Sequence, residues 1–154
     1  MIALDRQIVL DTSVLVYLAR DGHVGRAIDR NFGLRQRKIT PIISVVTIGE
    51  MQTMARWNNW GEQKRQKLQE VVGSLIAVEV GRPPVLRQYA EINAWLRTNG
   101  RAMGQQNDIW IAATTKAVGG VLLTTDRDFD TVHPQLLERE WIDIDELKRR
   151  QLSN

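Results

Sequence analysis

The stretch QQNDIWIAATTKAVGGVLLTTDRDFD, residues 105–130, decides the fold. Its first part has the pattern of a helix that is closed by Gly119 and Gly120. The apolar run VLLTT, residues 121–125, then predicts a short buried strand. Three aspartates follow this strand within five positions: Asp126, Asp128 and Asp130. A turn explains one aspartate after a strand, so the other two need a further explanation.

Outward from this stretch, strand and helix patterns alternate along the chain. Strands are predicted at residues 8–10, 39–44, 74–80, 121–125 and 141–145, and helices at residues 14–22, 24–38, 45–59, 62–73, 85–100 and 105–120. Such alternation predicts an α/β fold with a mainly parallel sheet covered on both faces. We expect a single domain over residues 1–147 and a polar C-terminal tail over residues 148–154. The polar segment ELKRRQLSN, residues 146–154, is expected to fray.

Composition limits the chemistry. The chain has 154 residues, a net charge of +3 and no cysteine, which excludes disulfides, thiolate catalysis and cysteine-based zinc sites. His23 and His133 lack the spacing of metal ligands. A metal would therefore be held by carboxylates, which favours Mg²⁺ or Mn²⁺. The N-terminus does not resemble a signal peptide and no apolar run could span a membrane, so a cytoplasmic protein is predicted.

Four carboxylates stand at positions that a parallel sheet brings together, because ligands bind beyond the carboxyl ends of its strands. Asp11 follows the first strand and Asp126 follows the strand at residues 121–125. Glu50 interrupts an apolar helical stripe, where a carboxylate is costly unless it is paired or binds a cation. Asp108 begins a helix that is apolar nearly all round, so we expect its start to point into the protein.

Each of these acids also has an ordinary structural explanation. Asp11 and Asp108 suit helix caps or first turns, the acids after the strand suit a turn, and Glu50 could pair with an arginine. Together, however, four carboxylates at one end of a sheet repel one another unless a cation neutralises them. With Mg²⁺ or Mn²⁺ bound, such a group suits the hydrolysis of phosphodiesters.

Three segments carry a family resemblance: VLDTSVLV with Asp11, SVVTIGEM with Glu50, and QNDIWIAATTKAVGGVLLTTDRDF with Asp108 and Asp126. In these segments the sequence resembles the PIN-domain family and, within it, the VapC-like toxins of bacterial toxin–antitoxin pairs. The resemblance runs from about Ile8 to Asp143. It implies a three-layer α/β/α sandwich, Mg²⁺- or Mn²⁺-dependent ribonuclease activity, homodimerisation, and inhibition by a cognate antitoxin.

The resemblance also implies roles for individual residues. Asp11, Glu50, Asp108 and Asp126 would form the catalytic acidic quartet. The hypothesis is that Asp11, Asp108 and Asp126 hold the ion directly or through water, and that Glu50 helps to deprotonate the attacking water. Thr124 would orient a carboxylate or water, and Asp128 would be an auxiliary ligand. Asp130 is interpreted as a surface or turn residue.

Two alternatives and the substrate surface stay open. The chain could be another Mg²⁺-dependent phosphohydrolase, or a non-catalytic module that binds RNA or a partner. Basic stretches at residues 26–38 and 64–67 could contact RNA phosphates or be solvated surface. Trp95 and Trp110 are expected in the core. Trp57 and Trp60 could line a groove for an antitoxin segment or a second protomer.

Overall fold

The computed structural model describes residues 2–153, which form a three-layer sandwich around one sheet. The five strands are β1 (Ile8–Leu10), β2 (Ile42–Ser44), β3 (Ile76–Val78), β4 (Val121–Thr124) and β5 (Glu138–Trp141). Their order is β3-β2-β1-β4-β5, and every neighbouring pair is parallel. The predicted α/β fold with a central parallel sheet is confirmed.

Helices connect and cover the strands. They are α1 (Thr12–Arg20), α2 (His23–Phe32), α3 (Val45–Trp57), α4 (Glu62–Gly73), α5 (Pro83–Thr98), α6 (Gln106–Ala117) and α7 (Ile144–Leu152). Short 3-10 turns lie at Leu34–Gln36 and Arg127–Thr131. Within residues 2–153, none of the helices combines the length and the apolar character that crossing a membrane requires.

The central strand β1 shows how the layers form. Its three residues are fully buried, and successive side chains point to opposite faces of the sheet. Ile8 and Leu10 pack with Ile28 of α2, whereas Val9 packs with Ile111 and Ala112 of α6. Burial on both faces explains why the strand is a continuous apolar run and not an alternating one.

The order in which strands are added to the sheet reverses between β1 and β4. From β1 it moves outward through β2 to β3, and it then returns to the other side of β1 for β4 and β5. Leu10 pairs with Leu123 in the β1–β4 register, so the carboxyl ends of the two strands are adjacent. Gly119 makes the turn into β4 with a φ of 64°, a conformation that favours glycine. The carboxyl ends of β1 and β4 form the switch point of the sheet, which is the place where α/β sheets bind ligands.

Three local predictions differ from the structure. The helix predicted over residues 24–38 ends at Phe32, because Gly33 adopts a left-handed conformation with φ 58°. The last strand covers Glu138–Trp141 and not residues 141–145. It is an edge strand whose exposed residues alternate with partly buried ones, and three of its four residues are charged, so a search for apolar runs misses it.

The C-terminal segment expected to fray is helical as far as Leu152. Asp143 caps α7 by accepting the backbone N–H of Glu146 at 2.9 Å, and Leu147 packs against the core beneath α2. Gln151 donates a hydrogen bond to the carbonyl of His23 at 3.0 Å. Cap and contacts hold a polar helix that its sequence alone would not stabilise. The division into a domain at residues 1–147 and a tail at residues 148–154 stays a prediction.

Candidate functional site

Three carboxylates meet at the switch point. Asp108, Asp126 and Asp128 each offer an oxygen, and these oxygens all lie within 4.8 Å of one another. Asp108 comes from the first turn of α6, and the other two come from the turn after β4. Asp108 is only 8% exposed, as expected from the apolar start of its helix. Asp128, expected as an auxiliary residue, is therefore part of the tightest group of acids.

Asp11 lies beside this group at the end of β1 and is 3% exposed. Its Oδ1 accepts the backbone N–H of Thr12 at 2.8 Å, and its Oδ2 accepts the hydroxyls of Ser13 and Thr124, each at 2.7 Å. Burial raises the pKa of Asp11, while the hydrogen bonds from Ser13 and Thr124 lower it. An ionised carboxylate has about four acceptor positions, so Oδ1 keeps room for a cation.

Hydroxyl groups join the ends of β1 and β4. The Oγ1 of Thr124 accepts the backbone N–H of Asp126 at 2.9 Å while it donates to Asp11. The Oγ of Ser13 accepts the backbone N–H of Thr125 at 3.0 Å while it donates to Asp11. The turn that carries Asp126 is thus tied to Asp11 twice. The role expected for Thr124, orienting a carboxylate, fits these contacts.

Glu50 reaches the site from α3. Its Oε1 accepts the hydroxyl of Thr12 at 2.7 Å, and the same hydroxyl lies 3.0 Å from that of Thr47. The apolar stripe that Glu50 interrupts is not the buried face of α3. The buried face of α3 carries Thr47, Met51 and Ala55. Glu50 lies on the neighbouring, partly exposed face, together with Trp57, which is 82% exposed.

The electrostatics of the site are those of crowded like charges. The pKa of Asp108 is raised from 3.8 to about 7, first by burial and then by the carboxylates of Asp11, Asp126, Glu50 and Asp128. Ionisation of all these acids is therefore unfavourable unless a cation is bound. Hard oxygen donors in this number fit Mg²⁺ or Mn²⁺. Such an ion could be held by Asp108, Asp126 and Asp128. Asp11 lies next to these three residues at the end of β1.

Several supporting residues were not predicted from the sequence. Thr12, Ser13 and Thr47 were given no role in the site on the basis of the sequence. The sequence signal that could have identified two of them is a pair of hydroxyl residues, Thr12 and Ser13, directly after the acid at the end of β1. Gly104 was also missed: a Cβ there would lie 2.8 Å from the Oδ2 of Asp128. The absence of a side chain at this glycine leaves room for the Asp128 carboxylate.

The first basic stretch lies away from the acids. Arg37 is 9% exposed and donates to the backbone carbonyls of Phe32 at 2.9 Å and Arg6 at 3.1 Å. Arg35 forms an ion pair with Asp29 at 2.8 Å. These residues precede β2 and lie near the segment that precedes β1, at the amino edge of the sheet. Arg37 therefore has a structural role and is not a free phosphate contact.

Trp57 and Trp60, which were predicted to line one groove, differ in their exposure to solvent. Trp60 is 7% exposed and packs in the core cluster of α1, α3 and α4, so it does not line an open groove. Trp57 is exposed, and its partner stays a prediction. Trp95 and Trp110 pack against the core as expected, and Trp110 stacks on Tyr89 with ring centroids 3.7 Å apart.

Solved structures share this fold. VapBC2 from Rickettsia felis, bound to a promoter DNA fragment, aligns with a TM-score of 0.75 and 22% identity, covering 89% of this chain and 99% of that one. VapBC-5 from Mycobacterium tuberculosis aligns with a TM-score of 0.64 and 22% identity, again covering 89% and 99%. DNA-bound VapBC from Salmonella typhimurium aligns with a TM-score of 0.64 and 20% identity, covering 88% and 97%. At these identities the likeness establishes the fold.

The sequence itself supplies the family. No curated protein sequence is a significant match to this chain. The family model of the PIN domain, however, matches residues 8–133, which include Asp11, Glu50, Asp108 and Asp126. This match covers most of the chain and contains the whole switch point described above. The resemblance to the PIN-domain family is thereby confirmed, and the chain belongs to the PIN domain family.

Proposed function

We propose that this chain is a metal-dependent endoribonuclease, which hydrolyses RNA phosphodiester bonds. PIN-domain proteins are nucleases; the RNA substrate and the metal are the proposed parts. One observation carries the proposal: three carboxylates within 4.8 Å of one another at the switch point, with Asp11 and Glu50 beside them. The net positive charge of the chain suits a polyanionic substrate.

The residues that would hold the cation are Asp108, Asp126 and Asp128, joined by Asp11 through the free acceptor position of its Oδ1. Mg²⁺ or Mn²⁺ is the proposed ion, because every donor is a carboxylate oxygen. When bound, the cation would offset the negative charge of the phosphate and lower the pKa of a water molecule. The fit rests on burial and on the crowding of like charges, which together raise the pKa of Asp108 to about 7.

The residues of the chain supply positioning and proton transfer. Thr124 and Ser13 hold Asp11 and the Asp126 turn in one arrangement, so the acids need little reorganisation when substrate binds. Glu50 is the proposed proton acceptor for the attacking water. Its contact with the Thr12 hydroxyl, at 2.7 Å, fixes one carboxylate oxygen and so orients the other.

The biological part of the proposal is a toxin that a cognate antitoxin inhibits. It is supported by structural neighbours that are VapBC assemblies, one of them described as a member of a family of toxin–antitoxin systems. We further propose that the chain is a homodimer and acts in the cytoplasm. Expression of the wild-type chain should arrest growth, the Asp108→Asn chain should not, and coexpression of the antitoxin should restore growth.

The decisive experiment is cleavage of pooled cellular RNA by the purified protein in Mg²⁺, in Mn²⁺ and in EDTA. We expect metal-dependent cuts by the wild type and none by Asp108→Asn. The matched control is Asp145→Asn, since Asp145 is an exposed acid on α7 outside the cluster; it should cut like the wild type.

Other results would identify the alternatives. RNA binding without cutting would favour a non-catalytic module. Hydrolysis of small phosphate esters without RNA cleavage would favour another phosphohydrolase.

A further inference from the structure

Arg127 lies between two acids of the cluster in the sequence, and its side chain packs against β5. It occupies the position between Asp126 and Asp128, at the start of the 3-10 turn. Its guanidinium lies over the ring of Trp141, with the Cζ 3.6 Å from the ring centroid. The turn therefore presents carboxylates toward the cluster and a cation on the side of β5.

Trp141 is held in a fixed position relative to this turn. It is the last residue of β5 and pairs with Thr124 in the β4–β5 register. Its indole Nε1 donates a 3.1 Å hydrogen bond to the carbonyl of Thr125. The ring is thus anchored to the residue that directly precedes Asp126 in the sequence. A guanidinium stacked on it is oriented at little further entropic cost.

Most donors of Arg127 remain available. The Arg127 side chain is 61% exposed, and its Nη1 contacts the Oδ2 of Asp130 at 3.4 Å, which is long for an ion pair between charged groups. The other oxygen of Asp130 contacts Arg139. A guanidinium has five N–H groups, and stacking uses its face while leaving its edge free. That edge suits the two oxygens of a phosphate.

We infer that Arg127 binds an RNA phosphate next to the scissile one, on the β5 side of the site, with Trp141 as its platform. This rests on the proposed function. A polyanion that approaches the carboxylates is repelled by them, and Arg127 places a positive charge in the same turn. The contact would be to the backbone, so it would be independent of base sequence.

The experiment measures RNA binding by the Asp108→Asn protein in Mg²⁺, with fluorescent single-stranded oligonucleotides of several sequences over a range of salt concentrations. Arg127→Ala is expected to weaken binding about tenfold on every sequence. It should also reduce the slope of log K against log salt by about 0.7, the value for one phosphate of a single strand. Arg127→Lys should keep the slope and lose part of the affinity.

The matched control is Arg35→Ala. Arg35 is also an exposed arginine paired with an aspartate, but it lies at the opposite edge of the sheet. Its removal should leave both affinity and slope unchanged. In the cleaving protein, Arg127→Ala should raise KM more than it lowers kcat. If Arg127→Ala does not fold, as judged by thermal unfolding, Arg127→Gln replaces it with the same expectations.

Unchanged affinity and salt slope in Arg127→Ala would overturn the inference. Tighter binding would also overturn it, because Arg127 would then block access of RNA to the ring of Trp141. Equal effects of Arg127→Ala and Arg35→Ala would also overturn it. Failure of the proposed function is a separate result, because it shows as absence of cleavage by the wild type. RNA binding that depends on Arg127 in a protein that does not cut would support the phosphate contact of Arg127 and overturn the proposed function.

Discussion

The buried hydroxyl of Thr124 donates a 2.7 Å hydrogen bond to the Oδ2 of Asp11, across the boundary between β4 and β1. The Oγ1 of Thr124 in turn accepts the backbone N–H of Asp126 at 2.9 Å. One side chain therefore sets the position of an acid on each of the two strands that flank the switch point. Thr124 is fully buried, so water cannot replace either bond.

Thr124→Val tests this coupling, since valine keeps the shape of threonine and removes the hydroxyl. We expect the free energy of unfolding to fall by about 1–3 kcal/mol, because a partly buried N–H and a buried carboxylate each lose a partner. Cleavage should fall at least about tenfold, as expected for misplaced catalytic groups. Thr124→Ser retains the hydroxyl and is the control. Urea unfolding and RNA cleavage that do not distinguish valine from serine would remove Thr124 from the site.

Much of this site could be predicted from the sequence because its acids follow strands or begin helices. Asp11 and Asp126 come directly after apolar runs, and the alternation of elements predicts a parallel sheet whose strand ends converge. Asp108 could be predicted from the apolar character of α6. The family resemblance added the order of the acids along the chain, which separate local patterns do not contain.

Contacts between distant segments could not be predicted in the same way. Nothing in the local pattern shows that Thr12 reaches Glu50, 38 positions later, or that Trp141 supports the turn that carries Asp126. The face of α3 was misjudged because periodicity identifies stripes of apolar residues but does not say which stripe the neighbouring helices cover. The exposure of Trp57 and the burial of Thr47 both follow from that packing.

Asp128 and Asp130 provide a matched pair for the metal. Asp128 offers an oxygen to the cluster, whereas Asp130 contacts Arg127 and Arg139. We expect Asp128→Asn to weaken Mg²⁺ or Mn²⁺ binding by at least about tenfold, because even loss of a residue that only supports a ligand has an effect of this size. Asp130→Asn should leave the affinity within about twofold, because Asp130 contacts these two arginines and not a carboxylate of the cluster. Calorimetric titration of the two variants with Mn²⁺ measures this difference, and equal affinities would remove Asp128 from the ligand set.

Gly25 sets the approach of α2 to α1. A Cβ at this position would lie 2.3 Å from the backbone oxygen of Tyr17, so the two helices would have to separate. Gly25→Ala should destabilise the protein by about 1–3 kcal/mol through overpacking. Gly73→Ala is the control, because a Cβ there would meet nothing within 4 Å and alanine favours helix. In urea unfolding, the free energy of unfolding should fall for Gly25→Ala and rise for Gly73→Ala. Similar losses of stability in both variants would mean that the close approach at Gly25 is not the cause of the destabilisation.

The charge of Asp108 should make the stability of the metal-free protein depend on pH. Burial and the neighbouring carboxylates raise its pKa to about 7 in the folded protein, from 3.8. The folded state therefore holds this proton more tightly than the unfolded chain. The resulting stabilisation is complete below about pH 3.8 and is lost as the pH rises through about 7. At pH 8 an ionised Asp108 then destabilises the fold.

Asp108→Asn removes that charge and keeps the shape of the side chain. In EDTA at pH 8 the variant should be more stable than the wild type by about 1–3 kcal/mol, and the difference should shrink toward pH 5, where Asp108 is protonated. Mg²⁺ should reverse the order at pH 8, because an ion that binds the folded state stabilises only the protein that retains its ligand. Urea unfolding from pH 5 to 8, with Asp145→Asn as the control, measures each step. A difference between the wild type and Asp108→Asn that stays constant over this range would show that the pKa of Asp108 is not raised in the folded protein.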